Sequence, residues 1–150
     1  MRRLTWDEYF GYITQVVRLR SDDEETKIGC VIVDNFNRLI SCGYNGTPRG
    51  TDLSKKRPEK YQYIVHSEVN AILTANQKLD GCRLYVYGML PCSDCAKIIC
   101  QTGIKEVIIV NSISREGGKN WNVDATNLMF SQCHISVRNI TIPTINISTN

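Results

Sequence analysis

The spacing of apolar residues along the chain predicts alternating helices and strands. Apolar residues recur at helical spacing over 4–20, which predicts an amphipathic helix. The apolar, β-branched runs 28–34 and 38–43 predict two strands, and the turn-forming residues 34–37 between them indicate a hairpin. Beyond the hairpin, the pattern predicts helices over 66–78, 93–100 and 124–132 and strands over 84–87, 107–110 and 135–137.

These elements predict an α/β fold. Strands that alternate with helices, as in the second half of the chain, pair in parallel through helical crossovers, whereas the two hairpin strands pair antiparallel. We therefore expect a three-layer α-β-α sandwich around a central mixed five-stranded sheet. A length of 150 residues is typical of one domain, so we expect a single domain over 1–150. The polar loop 45–60 is long enough to indicate a functional role, and 111–122 is expected to be a second, Gly-containing polar loop.

Composition and charge argue against two classes of partner. The net charge of +3 is mild and the basic run 55–57 is short, so we expect a solvated loop there and no nucleic-acid polymer as a partner. No apolar run approaches the roughly 18 residues of a membrane span, and none resembles a signal peptide. We therefore expect no membrane contact and a cytoplasmic location, in the host cytoplasm if the source is viral.

The chain has seven cysteines, an odd number for a disulfide framework. Because no export signal is present, the cysteines are expected to be core residues, metal ligands or catalytic groups rather than disulfides. Five lie within or beside apolar runs and are expected to be small buried side chains: Cys30, Cys42, Cys82, Cys100 and Cys133.

The remaining two cysteines belong to a candidate metal site. Cys92 and Cys95 follow Pro91 at a predicted helix start, and His66 lies at another helix start. Two thiolates and one imidazole are typical zinc ligands, and three protein ligands leave the open position of a catalytic site. Ligand type leaves another divalent metal possible, and the sequence leaves His134 possible as a fourth ligand.

Glu68 provides the chemistry that this site would need. A carboxylate two residues after His66 can take a proton from a zinc-bound water and pass it to a leaving nitrogen. The pattern H-x-E followed by P-C-x-x-C is the signature of zinc-dependent deaminases that act on nucleobases. The expected reaction is hydrolytic: zinc-bound hydroxide attacks the ring carbon that bears the amine, and ammonia leaves. The competing interpretations are a structural zinc site, an unmetallated core, and a non-catalytic zinc module that binds nucleotides or a partner.

Over most of its length the chain resembles the deoxycytidylate deaminase family. The most discriminating stretch is 43–50 (GYNGTPRG), because nucleoside and tRNA deaminases share the metal motif but do not usually carry that loop. The other matching stretches are 20–21 (RS), 26–33 (TKIGCVIV), 66–72 (HSEVNAI), 81–86 (GCRLYV), 91–97 (PCSDCAK) and 103–107 (GIKEV).

The resemblance implies a cytidine deaminase-like fold and a homohexamer that converts dCMP to dUMP and ammonia, supplying dUMP for dTMP synthesis. It also implies activation by dCTP with Mg²⁺ and inhibition by dTTP. The loop implicated in this control supplies the candidate allosteric residues Gly43, Tyr44, Asn45, Gly46 and Arg49.

Substrate contacts are predicted for residues within these matching stretches. Asn45 can both donate and accept hydrogen bonds, as a sugar hydroxyl or base edge requires, although a turn residue ahead of Gly46 is the alternative. For the substrate phosphate, Arg49 is a further candidate cation. The remaining candidates are two cations and two hydroxyl donors, Arg20, Lys27, Ser21 and Thr47.

The segment 111–122 departs most from the family, and a neighbouring subunit is expected to reach the site there. Arg115 and Trp121 are candidate contributors. A free nucleoside or a base in tRNA is the alternative substrate for the same metal motif.

Overall fold

The computed structural model describes residues 1–113 and 122–148, so Arg115 and Trp121 lie outside the described residues. A short 3₁₀ turn, Glu59–Gln62, comes at the end of the predicted loop 45–60. The helices of the described part are α1 (Trp6–Arg18), α2 (Ser67–Ala75), α3 (Ser93–Thr102) and α4 (Val123–Gln132). Its strands are β1 (Gly29–Val33), β2 (Leu39–Tyr44), β3 (Arg83–Tyr87), β4 (Glu106–Val110) and β5 (Ser136–Ile140).

The strands form one five-stranded sheet in the order β2-β1-β3-β4-β5. β1 pairs antiparallel with both β2 and β3, whereas β4 pairs in parallel with β3 and β5. The predicted hairpin and the predicted parallel crossovers are both present, which confirms the mixed sheet.

Two apolar layers hold helices on opposite faces of the sheet. On one face, Phe10 of α1 packs with Val31 and Tyr85 in a fully buried cluster. On the other face, Ala71 of α2 and Phe130 of α4 belong to a larger buried cluster, which also includes side chains of α3. The three-layer α-β-α architecture expected from the sequence is therefore confirmed.

Two glycines allow the helices to approach the sheet closely. A Cβ atom on Gly29 would lie 2.3 Å from the carbonyl oxygen of Thr14 in α1, and one on Gly43 would lie 2.4 Å from the backbone nitrogen of Ala71 in α2. Real Cβ atoms do not come so near to backbone atoms, so only glycine permits this packing. Gly43 therefore fixes how closely α2, the helix that follows His66, lies against β2.

Local capping makes α1 and α2 shorter than the apolar pattern predicted. Thr5 accepts a hydrogen bond from the Glu8 backbone (3.2 Å) and donates its own backbone N–H to the Glu8 carboxylate (2.8 Å), so α1 begins at Trp6. α2 ends at Ala75 because Asn76 adopts a left-handed conformation with φ 51°.

No helix of the described part is long and apolar enough to cross a membrane.

The cysteine prediction is only partly right. Cys30 and Cys82 are buried as expected, but Cys42 and Cys133 are exposed and Cys100 is partly exposed. Cys42 lies on the edge strand β2, where alternation turns it away from the face covered by α2. Cys133 is the C-cap residue of α4 and is exposed at that end of the helix.

Candidate active site

The starts of two helices meet at the candidate metal centre. His66 is the N-cap residue of α2, and Cys92 is the N-cap residue of α3, with Cys95 in the first turn. The Cys92 Sγ accepts from the Cys95 backbone N–H at 3.5 Å. Buried Thr126 of α4 donates to the carbonyl of Pro91 at 3.0 Å, which ties the start of α3 to its neighbour.

The three predicted ligands come together with the spacing of a shared ion. The Nδ1 atom of His66 lies 3.3 Å from the Sγ of Cys95 and 3.4 Å from the Sγ of Cys92. Ligand distances of about 2.1 Å for nitrogen and 2.3 Å for sulfur put such atoms about 3.5 Å apart on one tetrahedral zinc ion. The residues therefore fit zinc. Within the described part of the chain, the metal-ligand cluster consists of these three side chains, and exposed His134 is not a member.

Hydrogen bonds among the three donors shift their pKa values in opposite directions. The Cys92 pKa falls to about 4, first because the Cys95 thiol donates to it and also because His66 does, despite partial burial that opposes the shift. The pKa of Cys95 moves well above its usual range because it is the donor to Cys92 and is buried. The pKa of His66 is raised, mainly by its hydrogen bond to Cys92. The lowered pKa of Cys92 favours the thiolate form, which is the form of a thiol that binds a metal ion.

Glu68 lies beside the ligands on the first turn of α2. Its side chain is 5% exposed, and its Oε2 accepts a hydrogen bond from the Ser67 hydroxyl at 3.1 Å. The same oxygen lies 3.8 Å from the Sγ of Cys95. Burial raises the pKa of Glu68, although the nearby His66 opposes this. A carboxyl group in such surroundings is suited to both taking and giving a proton.

One cavity, called the site cavity below, joins these groups to a predicted substrate residue. His66, Glu68 and Cys92 line it together with Asn45. The Asn45 side chain is held by the backbone: its Oδ1 accepts from the Ile28 N–H at 2.9 Å, and its Nδ2 donates to a carbonyl at 2.7 Å. One amide hydrogen of Asn45 is not used in these two bonds, so this residue can still offer a donor to a ligand.

In the part of the chain that the structure describes, the predicted phosphate-binding residues are not among those that line the site cavity. Ser21 is buried and donates to the Asn45 carbonyl at 2.8 Å, and Lys27 donates to the Ser21 carbonyl. Arg20 is exposed, with its guanidinium 5.9 Å from the centre of the Tyr44 ring. Thr47, partly exposed, is likewise not among the described lining residues. Asn45 is thus the predicted substrate residue that the structure brings to the metal ligands.

The candidate allosteric residues differ in exposure. Gly43 and Gly46 are buried, and a Gly46 backbone pair with Val65 links the loop after β2 to the segment before His66. The regulatory role of the five candidate residues remains a prediction. Of them, Tyr44 and Arg49 are exposed and could contact an effector directly.

Sequence reasoning missed an ionic part of the cavity lining. Asp23 and Lys60 line the site cavity as a buried pair, with Lys60 Nζ 3.0 Å from Asp23 Oδ1. Arg57, expected in a solvated loop, also lines the cavity and pairs with Glu25. The available signal was charge complementarity between the acidic run 22–25 and the basic residues of 55–60.

Comparisons with known proteins agree with this geometry. The family model for the cytidine and deoxycytidylate deaminase zinc-binding region matches residues 4–111. The deoxycytidylate deaminase of Homo sapiens is 34% identical over 145 residues, which span 90% of this chain and 79% of the human protein. The Mus musculus deoxycytidylate deaminase is 35% identical over 148 residues, with 92% and 81% of the two chains covered.

A solved structure shares the fold. The dCMP deaminase of cyanophage S-TIM5 has a TM-score of 0.72 and 23% identity in its apo form, and the match covers 93% of this chain and 100% of the phage chain. A second structure of that phage enzyme is a complex with dCMP and dUMP, and it has the same TM-score of 0.72. With the family model covering the metal ligands and Glu68, and with relatives aligned over nearly the whole chain, this protein belongs to the deoxycytidylate deaminase family.

Proposed function

We propose that this protein is a zinc-dependent dCMP deaminase, which converts dCMP and water to dUMP and ammonia. The observation that carries the proposal is the buried Glu68 carboxylate beside a three-donor cluster, in one cavity with Asn45. Membership of the deoxycytidylate deaminase family supports the choice of a deoxycytidine nucleotide as substrate.

His66, Cys92 and Cys95 would hold the ion. When bound at three protein ligands, zinc supplies a Lewis acid and lowers the pKa of water to about 7. The donor set supports zinc over magnesium or calcium, which prefer oxygen ligands.

Glu68 moves the protons of the reaction. It takes the two protons of the attacking water one after the other: the first goes to a ring nitrogen of the pyrimidine, and the second goes to the amine, which leaves as ammonia. The Ser67 hydroxyl, 3.1 Å from Oε2, orients the carboxylate, and burial keeps bulk water from competing for the transferred protons. Asn45 lines the same cavity and offers an amide donor, which suits a sugar hydroxyl or a base edge.

Regulation and assembly belong to the same proposal. We expect a homohexamer that dCTP with Mg²⁺ activates and dTTP inhibits, so that dUMP supply for dTMP synthesis follows the nucleotide pool. Tyr44 ends β2 immediately before Asn45, and Arg49 lies in the loop that follows. Both are exposed, which supports coupling between an effector bound there and the site cavity that Asn45 lines.

The test measures ammonia and dUMP formed from dCMP by the purified zinc-loaded protein. Deoxycytidine is the matched substrate without phosphate, and kcat/KM for dCMP is expected to be far higher. Equal values for the two substrates would contradict the nucleotide assignment.

Regulation and assembly are tested separately. Adding dCTP with Mg²⁺ should raise the rate at low dCMP concentration, and dTTP should reduce it. Light scattering should give about six times the 17.0 kDa chain mass.

A further inference from the structure

Lys60 is a lysine buried in the lining of the site cavity. Its side chain is 2% exposed, and its Nζ lies 3.0 Å from Asp23 Oδ1 and 3.6 Å from Glu25 Oε2. The Asp23 side chain is itself only 4% exposed. A buried ammonium with two carboxylate partners is already neutralised, so its charge is committed to the protein rather than to a ligand.

The Asp23 carboxylate organises one wall of the cavity. Its Oδ1 accepts the backbone N–H groups of Glu25 at 2.9 Å and Thr26 at 3.0 Å, in addition to Lys60. The carbonyl of Thr26 in turn accepts the side-chain amide of Asn45 at 2.7 Å. The Asp23–Lys60 pair is therefore connected, through the backbone of Thr26, to the side-chain amide of Asn45, which lines the site cavity.

The backbone of Lys60 is hydrogen-bonded to the segment that precedes His66. Its carbonyl accepts the N–H groups of Tyr63 and Ile64, each at 2.9 Å, in the segment that runs directly into His66. Val65 then exchanges backbone hydrogen bonds of 2.8 and 3.1 Å with Gly46, the residue after Asn45. Lys60 thus joins the segment that carries a metal ligand to the segment that carries Asn45.

We infer that Lys60, through its buried ion pair with Asp23, is a positioning residue that sets the distance between Asn45 and the metal centre. The inference rests on the proposed deaminase function. It assigns Lys60 no contact with the reacting atoms. Its effect is on substrate binding, because the Asn45 wall moves relative to His66 while the ligands and Glu68 keep their own supports.

The chain contains a matched control for this pair. Lys55 and Asp22 join the same two segments, with Nζ 2.6 Å from Oδ2, but each side chain is 44% exposed. Exposed ion pairs contribute little to stability, so Lys55→Met should leave kcat, KM and the melting temperature near those of the parent.

The experiment compares the parent, Lys60→Met, the double variant Asp23→Asn/Lys60→Met, and Lys55→Met as zinc-loaded full-length proteins. Zinc content, melting temperature, kcat and KM for dCMP are measured for each. Lys60→Met should lose roughly 10–100-fold in kcat/KM, mostly through KM, with zinc content unchanged. It should also melt earlier, since it leaves Asp23 buried without its main partner. The double variant should recover the melting temperature but not kcat/KM.

Each other result contradicts the inference. Recovery of kcat/KM together with the melting temperature in the double variant would assign the pair to stability alone. Zinc loss, or failure of the double variant to fold, would assign it to assembly of the site. Unchanged kcat/KM in a folded Lys60→Met protein would refute the inference while the proposed function stood. A parent with no activity on dCMP would refute both.

Discussion

The Oε2 atom of Glu68 lies 3.8 Å from the Sγ of Cys95, close to the metal-ligand cluster but outside it. A structural zinc site normally closes with a fourth protein ligand, whereas a catalytic site leaves that position for water. A buried carboxylate at this distance can reach a water at the open position without occupying it. The arrangement therefore favours a hydrolytic enzyme over a zinc module that only binds.

Replacing one of the three candidate metal ligands should greatly weaken zinc binding. Cys95→Ser is expected to lose most of its zinc and nearly all dCMP turnover, because two of the three donors cannot hold the ion tightly. Cys133→Ser is the matched control, since Cys133 is exposed and lies outside the cluster. Zinc analysis after dialysis, together with ammonia release, provides the check. Stoichiometric zinc and full activity in Cys95→Ser would rule out Cys95 as a ligand.

Chelation should give the same loss without mutation. Prolonged treatment of the parent with a strong chelator should remove activity, and added zinc should restore it. Activity that persists after zinc has been removed would contradict the metal-dependent account.

Gly43 should be intolerant of any side chain. Its Cβ would meet the backbone of α2 at 2.4 Å, so Gly43→Ala must push α2 away from β2. We expect a loss of about 1–3 kcal/mol in the free energy of unfolding. Gly46→Ala is the control, because the nearest atom to its Cβ is the Asp22 side chain at 3.6 Å. Urea unfolding measures both variants, and equal stability would contradict the packing argument.

Asp7 should contribute to the acid dependence of stability. The guanidinium of Arg138 donates to both of its oxygens, at 2.6 and 2.9 Å, and holds the Asp7 pKa below its usual range. A carboxylate with a lowered folded-state pKa stabilises the protein above its unfolded pKa of about 3.9, and that contribution is lost as the pH falls further. The parent should therefore lose more stability than Asp7→Asn between pH 5 and pH 3. Urea unfolding at each pH measures the free energy of unfolding. An equal loss of that free energy in the two proteins between pH 5 and pH 3 would contradict this prediction.

The sheet and the metal centre could be predicted from the sequence because their signals are local. Apolar periodicity marks each strand, and the ligands are held at the starts of α2 and α3 by motifs of three to five residues. Helix ends were less predictable because they depend on single residues, as with the left-handed Asn76 that ends α2. The exposure of Cys42 depends on which side of an edge strand remains uncovered, and the apolar pattern does not contain that information.

The cavity wall could not be predicted because its contacts are distant in sequence. Asp23 and Lys60 are 37 positions apart. Asp23 lies in the acidic run 22–25 and Lys60 lies just after the basic run 55–57, and such charge runs are usually solvated. Asn45 was found from its loop, but its hydrogen bonds to the backbone around Ile28 emerge only when β1 and β2 pair. The resemblance named the residue type, and the tertiary structure supplies its orientation.

The most direct test of the central claim is the turnover of dCMP by Glu68→Gln compared with the parent at equal zinc content. The amide is nearly isosteric and leaves the three donors intact, but it cannot take a proton from water. The account predicts unchanged zinc binding and a loss of roughly 10²–10⁴-fold in kcat. A zinc-loaded Glu68→Gln protein that forms dUMP at the parent's rate would contradict it.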